Sequence, residues 1–315
     1  MNGWNADTSW MRGSFGLSVH WTSKTVCLNG TSIPYSEAVD RFDPGRFAGD
    51  LAAAGAKHCI FTLTHGEQYL ALPHPLLDKL LPGRTAKRDL IGELIVALAK
   101  YRIRFIAYYN HSCNGTGDPA WKKACGYADG IHGNLDGFAE NICGIVAYIA
   151  RRYGSGIAGW WFDSSYSVDP RGPHNTVSCE MGGWRFPWKA LADAAKSGHR
   201  DCAVTFNAGV GSRFLYAPCQ DYYAGEAVRL DEPFVPDAVS GMRDHRWICA
   251  DSPDWLLSAK NCAGGFAPPR FSVQEMRDFL KEHREAGRMV TFNLQIDQEG
   301  ILNPSVLDAV KRMDS

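Results

Sequence analysis

Short apolar segments recur along the chain, and most of them are separated by amphipathic stretches of helical period. The segments are almost continuously apolar rather than alternating, which is typical of parallel strands that are covered on both faces. We predict eight strands, over residues 16–21, 58–64, 103–109, 157–163, 202–207, 221–226, 246–251 and 289–295.

The segments between these strands carry helical signals of different strength. Residues 88–102 place Leu90, Leu94 and Leu98 on one face, as an amphipathic helix requires. Similar patterns predict further helices over residues 42–56, 135–153, 184–199, 272–286 and 304–313. The segments after the sixth and seventh strands are the weakest, so we expect irregular or missing helices there.

Strand–helix alternation repeated about eight times is the pattern of a (β/α)8 TIM-type barrel. An open doubly wound sheet would need a glycine-rich phosphate turn after the first strand, but His20, Trp21 and Thr22 stand there. No internal repeat or linker is visible, so we predict a single α/β barrel domain over residues 1–315.

Charge and composition exclude several classes of function. Lys and Arg number 33 and Asp and Glu number 34, so the chain offers no basic field for nucleic acid and no polybasic anchor for a membrane. No apolar stretch of about 18 residues occurs, and the first residues lack the apolar core of a signal peptide. We therefore expect a cytoplasmic protein as the sequence is written, or a secreted or periplasmic one if a signal peptide was removed. The oligomeric state stays open.

The active site of such a barrel lies at the C-terminal ends of its strands. The predicted strand ends carry a set of polar and aromatic residues: His20, His65, Tyr108, Tyr109, Asp163, Asn207, Glu226, Asp251 and Gln295. Asp163 follows three aromatic residues, where a carboxylate loses hydration and needs hydrogen-bond partners or a chemical task. A turn or helix-capping role is the alternative for Asp163, and a solvated loop position is the alternative for Glu226.

Two carboxylates at one barrel mouth, with histidines and aromatic rings around them, fit hydrolysis of a glycosidic bond. One carboxylate attacks the anomeric carbon while the other protonates the leaving oxygen. An inactive carbohydrate-binding barrel is one alternative, and a metal-dependent hydrolase that uses His20 and His65 is another. A metallohydrolase barrel usually has a His-x-His pair on its first strand, whereas Ser18 and Val19 precede His20. We therefore expect neither a metal nor another cofactor.

Several segments resemble the α-L-fucosidases of glycoside hydrolase family 29. The first strand reads GLSVHW, similar to the GLFVHWG strand of that family, and residues 160–165 read WWFDSS, similar to its WFDG strand end. Residues 42–65 (FDPGRFAGDLAAAGAKHCIFTLTH), 88–110 (RDLIGELIVALAKYRIRFIAYYN) and 287–304 (GRMVTFNLQIDQEGILNP) also follow the pattern of the family.

The resemblance implies a retaining exo-glycosidase that acts on terminal α-L-fucosides, with Asp163 as nucleophile. It implies Glu226 as acid/base, because DYYAGEAV at residues 221–228 matches a stretch that precedes this residue in some members; Asp251 is held in reserve. Residues expected to contact the substrate are His20, His65, Tyr108, Tyr109, Trp161 and Arg213.

The chain also departs from the family pattern. The paired histidines of the family appear here as His65 and Gly66, and we expect no C-terminal β-sandwich. A related sugar is therefore kept as an alternative to fucose.

Overall fold

The computed structural model describes residues 5–113, 117–127, 135–177, 183–234 and 241–313. Its eight parallel strands follow the order β5-β4-β3-β2-β1-β8-β7-β6, and each overlaps a predicted strand. The strands are β1 (Phe15–Val19), β2 (His58–Thr64), β3 (Arg104–Asn110), β4 (Ile157–Asp163), β5 (Ala203–Phe206), β6 (Glu226–Ala227), β7 (His245–Cys249) and β8 (Met289–Asn293). The curled sheet confirms the predicted (β/α)8 fold.

Helices pack outside this sheet in the described part of the chain. They are α1 (Tyr35–Arg41), α2 (Pro44–Ala53), α3 (Pro75–Leu80), α4 (Leu90–Lys100), α5 (Pro119–Cys125), α6 (Asp136–Tyr153), α7 (Trp188–Lys196), α8 (Val273–Glu285) and α9 (Pro304–Met313). Local sequence sets several helix starts: the Asp43 side chain accepts from the first backbone N–H groups of α2, and Ser272 and Glu275 form a capping box at α8.

The segments after β6 and β7 are irregular, as predicted. Between β6 and β7 the described residues form no helix. After β7 a long loop precedes α8, which confirms the helix predicted over residues 272–286. The connection that lacks a helix throughout is residues 207–225, between β5 and β6.

That connection also closes the barrel. The predicted sixth strand, residues 221–226, pairs as a ladder only over Glu226–Ala227. The residues before it reach β5 instead: the Asp221 N–H donates to the Val204 carbonyl at 2.7 Å, and the Thr205 hydroxyl donates to the Tyr222 carbonyl at 2.6 Å. An irregular segment therefore bridges the two outer strands of the sheet order.

The alternation of side chains along each strand separates two apolar regions. The larger lies between the sheet and the helices, and the smaller fills the barrel interior with residues such as Ile60, Ile106, Tyr222 and Met289. Among the described helices, none is long and apolar enough to cross a membrane.

Candidate active site

A pocket of about 190 Å³ opens at the C-terminal ends of the strands. Its volume is below the roughly 300 Å³ at which sites for drug-sized ligands begin, so it suits a single small ring. The lining consists of carboxylates, amides, hydroxyls and aromatic rings: His20, His65, Tyr108, Asn110, Trp161, Asp163, Ser164, Tyr166, Glu226, Trp247 and Trp255.

Asp163 is the last residue of β4, and three side chains hold its carboxylate. Tyr108 and Asn110, both on β3, donate to Oδ2 at 2.5 Å and 3.0 Å, and Asn207 donates to Oδ1 at 2.9 Å. Hydrogen bonds to an ionised carboxylate are short and about twice as strong as neutral ones. The partners come from neighbouring strands rather than from a following helix, so the geometry does not support the capping alternative.

The two amide side chains are oriented by their own contacts. The Asn110 Oδ1 accepts from the Ser112 N–H at 2.7 Å and from the Ser164 hydroxyl at 2.8 Å, which leaves its NH2 group for Asp163. The Asn207 Oδ1 accepts from the Gly209 N–H at 3.0 Å, so its NH2 group also faces the pocket. Both amides therefore act as fixed donors.

Glu226 lies beside Asp163 and shares a donor with it. The Asn207 Nδ2 donates to Glu226 Oε2 at 2.6 Å as well as to Asp163 Oδ1 at 2.9 Å. These two distances add up to 5.5 Å, so the two carboxylate oxygens lie no farther apart than that. Burial and the charge of Asp163 raise the pKa of Glu226 to about 7, against the opposing effect of the Asn207 hydrogen bond.

Two tyrosines add hydroxyls at this carboxylate pair. Burial and the charge of Asp163 raise the pKa of Tyr108 well above its ordinary value, so its hydroxyl stays protonated and donates. Ser164, at φ +61°, turns the chain sharply after β4. The turn leads to Tyr166, where the charge of Asp163, burial and the charge of Glu226 raise the pKa of the phenol.

Histidine and tryptophan rings also line the pocket. The His20 Nδ1 lies 3.0 Å from the Asn293 Oδ1 at the end of β8, and the His65 ring centroid lies 4.3 Å from that of Trp255. Burial lowers the pKa of His20 to about 4, and burial with the neighbouring His20 lowers that of His65 to about 3. Both rings are therefore neutral near pH 7 and offer one donor and one acceptor each.

The structure brings together six of the residues predicted for the site: Asp163, Glu226, His20, His65, Tyr108 and Trp161. Tyr109 is misplaced by the prediction, because it alternates with Tyr108 on β3 and packs in the region between sheet and helices. Arg213 is also misplaced: its guanidinium pairs with Asp244 at 2.8 Å, just before the first residue of β7 and toward the opposite end of the barrel.

Asp251, held in reserve as the acid, lies outside the pocket lining. Its Oδ2 accepts from the Gln295 N–H at 2.6 Å and from the Asn303 Nδ2 at 3.2 Å, so it fastens the loop after β7 to the chain that follows β8. Burial raises the pKa of Asp251 to about 6.

Sequence reasoning missed several residues that line the pocket or contact its carboxylates. Asn110 ends β3 directly after the two tyrosines. Asn207 was recognised as a strand end, but no role was assigned to it. Both residues could have been predicted from their positions at strand ends. Tyr166 lies in a short 3-10 helix beyond β4 and Trp255 in a loop beyond β7, where strand periodicity gives no signal. In the described ranges, no three His, Cys, Asp or Glu residues are grouped so that they could hold a metal ion.

Comparison with known proteins gives a family and a fold. Residues 33–207 match the sequence profile of the alpha-L-fucosidase family. No curated protein sequence matches the chain.

Among solved structures, an endo-fucoidan hydrolase of glycoside hydrolase family 107 is similar over 97% of this chain, with 17% identity and a TM-score of 0.68. The chain spans about half of that structure, 52% of its length. An alpha-L-fucosidase from Lactobacillus casei in complex with alpha-L-fucose product is similar over 97% of this chain and 96% of its own, with 14% identity and a TM-score of 0.66. A family 29 alpha-L-fucosidase from Bacteroides thetaiotaomicron is similar over 99% of this chain and 74% of its own, with 16% identity and a TM-score of 0.66. At these identities the likeness establishes the barrel fold.

Proposed function

The chain belongs to the alpha-L-fucosidase family of glycoside hydrolases, and from that premise we propose that it hydrolyses terminal α-L-fucosides with retention of configuration. Asp163 is the nucleophile and Glu226 is the acid/base. The observation that carries the proposal is the single Asn207 amide that donates to both carboxylates.

The spacing of the carboxylates supports retention. Retaining glycosidases hold their two carboxyl groups about 5–5.5 Å apart, whereas inverting enzymes need about 6.5–9.5 Å to admit a water molecule. The oxygens of Asp163 and Glu226 that share the Asn207 donor lie within 5.5 Å of each other. This upper bound lies in the range of retaining enzymes and below that of inverting enzymes.

The first step forms a covalent fucosyl-enzyme. An Asp163 oxygen attacks the anomeric carbon as the bond to the leaving oxygen breaks, and Glu226 gives its proton to that oxygen. A Glu226 pKa of about 7 keeps this proton in place near neutral pH. The hydrogen bonds that Asp163 accepts from Tyr108, Asn110 and Asn207 hold the attacking group in position.

The second step reverses the roles. Glu226, now a carboxylate, takes a proton from water, the hydroxide attacks the anomeric carbon, and the ester bond to Asp163 breaks. Fucose leaves with its original configuration, and Glu226 holds a proton again. The neutral rings of His20 and His65 supply hydrogen-bond partners for sugar hydroxyls, and Trp161 and Trp247 supply apolar faces for the C–H surface of the sugar.

The size of the pocket supports an exo mode of attack, because about 190 Å³ accepts one terminal residue. The position of Glu226 next to Asp163 favours hydrolysis over the alternative of an inactive carbohydrate-binding barrel.

The proposal is tested with a panel of aryl glycosides that differ only in the sugar. We expect turnover of the α-L-fucoside, and release of α-L-fucose as the first product by proton NMR. A 2-deoxy-2-fluoro-fucosyl fluoride should leave one fucosyl adduct on the peptide that carries Asp163, detected by mass spectrometry. Release of β-L-fucose first, or an adduct on another residue, would contradict the assigned mechanism.

A further inference from the structure

A second and larger cleft opens beside the catalytic pocket. It encloses about 580 Å³ and lies between the loop after β1 and the loop after β7. Trp255 lines both cavities, so the cleft adjoins the place where the leaving group of a bound fucoside would emerge.

The cleft is built before any ligand arrives, because its two loops are tied together. The Val26 N–H donates to the Leu257 carbonyl at 3.2 Å, which joins the loops at their base. Asn261 braces the second loop, accepting from the Ser258 N–H at 2.8 Å and donating to the Leu256 carbonyl at 2.8 Å. The Asn293 amide donates to the Trp255 carbonyl at 3.0 Å and fixes the shared wall.

Lys24 stands where the two cavities meet. Its Nζ and Cε lie 3.8 Å from the position that a Cβ atom on Gly66 would take. Gly66 directly follows His65 of the catalytic pocket, so Lys24 lies close to that pocket. Burial and the neighbouring His20 lower the pKa of His65 most, and the positive charge of Lys24 acts in the same direction.

The lining of the cleft carries an excess of positive charge. Lys24 and Lys260 both line it and are exposed, and in the described part of the chain neither forms a salt bridge. Asp254 is the acidic residue of the lining, and its Oδ2 accepts from the Asn261 Nδ2 at 3.2 Å. The Glu67 carboxylate lies outside the lining and accepts from the Ser23 hydroxyl at 2.8 Å. The lining itself holds two ammonium groups and one hydrogen-bonded carboxylate, which favours an anionic ligand.

We propose that this cleft is the leaving-group subsite and that it takes a sugar bearing a sulfate ester or a carboxylate, recognised by Lys24 together with Lys260. The proposal rests on the fucosidase function assigned above. Both substituents present oxygen anions to an ammonium group, so the structure defines their shared chemistry.

Matched aryl α-L-fucosides test the proposal. The 3-carboxyphenyl and 3-sulfophenyl fucosides are anionic at pH 7, and the 3-carbamoylphenyl and 3-sulfamoylphenyl fucosides have nearly the same shape without the charge. We expect kcat/KM to favour each anion over its neutral partner by about threefold to tenfold, as exposed ion pairs allow. A larger ratio for the sulfonate or for the carboxylate distinguishes a sulfated sugar from a uronate.

Variants that lack one lysine charge then show which residues cause the preference for anionic fucosides. Lys24→Gln and Lys260→Gln should each reduce the anion-to-neutral ratio, and the double variant should bring it close to one. Lys100→Gln is the matched control, because this exposed lysine ends α4 at the opposite end of the barrel. Added salt should also lower the ratio in the unmodified enzyme, since about 0.1 M salt screens exposed charges beyond about 10 Å.

The outcomes separate this proposal from the proposed function. Hydrolysis of the neutral fucosides with a ratio of one, or with a ratio that Lys24→Gln and Lys260→Gln leave unchanged, overturns the anionic subsite and leaves the fucosidase function standing. Failure to hydrolyse any of the four fucosides overturns both.

Discussion

His20 and His65 directly follow β1 and β2, whereas His58 and His245 are the first residues of β2 and β7. The barrel interior thus holds one pair of histidines at each end. We call His20 and His65 the upper pair and His58 and His245 the lower pair. The lower pair shares one hydrogen-bond partner, since His58 Nε2 and His245 Nε2 lie 2.7 Å and 2.8 Å from the same Thr291 hydroxyl.

The lower pair is packed without space for a ligand. A Cβ atom on Gly16 would lie 2.4 Å from the His58 ring, so the ring rests directly on the backbone of β1. His58 Nδ1 lies 3.0 Å from the Ser14 hydroxyl. The upper pair borders an open pocket with two carboxylates. Residue type therefore does not distinguish structural from functional histidines in this barrel, whereas position along the strand does.

The contrast between functional and structural residues of one type is tested most strongly by the same substitution at each of two aspartates. Asp163→Asn should lower kcat by three orders of magnitude or more, because an amide cannot form the glycosyl ester, and losses of this size are typical of catalytic nucleophiles. Circular dichroism should show an unchanged fold. Asp221→Asn is the control: Asp221 holds the Ala6 N–H at 2.8 Å and pairs with Lys196 at 2.8 Å, so its loss should lower stability and leave turnover by the folded enzyme intact. An Asp163→Asn enzyme with more than a few per cent of the original rate would remove this residue from the mechanism.

The next largest effect concerns Glu226. Since its pKa is raised to about 7, the protonated acid is present below that pH and is lost above it, so kcat/KM should fall on the alkaline side of about pH 7. Glu226→Ala should abolish this limb and slow fucosides with poor leaving groups by about 10²–10⁴-fold, the usual contribution of a general acid. Activated aryl fucosides should be slowed far less.

Azide provides the control for Glu226→Ala, since it attacks the fucosyl-enzyme without needing a base. It should accelerate the variant and yield fucosyl azide, measured by chromatography. Equal slowing of good and poor leaving groups without rescue would exclude Glu226, and the same tests on Asp251→Ala would follow.

The sequence predicts the strands well because hydrophobic periodicity is a local signal. It predicts Asp163 for a similar reason: a carboxylate after three aromatic residues at a strand end has few structural explanations. The position of Arg213 could not be predicted in this way. Its partner Asp244 is distant in sequence, and the irregular segment between β5 and β6 brings the two residues together. Trp255 lies in a loop, whose path depends on tertiary hydrogen bonds such as the one from Asn293 to the Trp255 carbonyl.

A smaller effect separates the two histidine pairs directly. His58→Ala should lower the free energy of unfolding by about 2–4 kcal/mol, because it opens a cavity and removes the hydrogen bond to the Ser14 hydroxyl and one of the two histidine contacts of the Thr291 hydroxyl. Its kcat/KM per folded molecule should remain close to that of the unmodified enzyme. His20→Ala should instead lower kcat/KM by at least tenfold. Urea unfolding and steady-state kinetics on both variants provide the measurements, and equal activity losses would show that the two ends are coupled.

The lower pair also predicts a pH dependence. Burial lowers the pKa of His58 to about 3, so the folded chain stays neutral there while the unfolded chain takes up a proton near pH 6.5. The stability contribution of the neutral ring is therefore present above about pH 6.5 and is lost as the pH falls toward about 3. His58→Gln, which keeps a polar side chain without this titration, should lose less stability between pH 7 and pH 5. An identical slope in the variant would show that His58 is not the group that titrates.

The last prediction is that removal of metal ions does not change the activity, and it concerns His20 and His65. His20 and His65 have ring centroids 5.9 Å apart, close enough to have suggested metal ligands. One nitrogen of His20 is committed to Asn293, and the described residues supply no third ligand to complete a site. The proposed reaction needs the two carboxylates alone, so activity after prolonged dialysis against EDTA should equal that of the untreated enzyme within assay error. The control adds Zn²⁺, Mn²⁺ or Ca²⁺ back to the dialysed enzyme, which should not raise the rate. Loss of activity with EDTA and its recovery with one of these ions would transfer the chemistry from Asp163 and Glu226 to a metal held by the histidines.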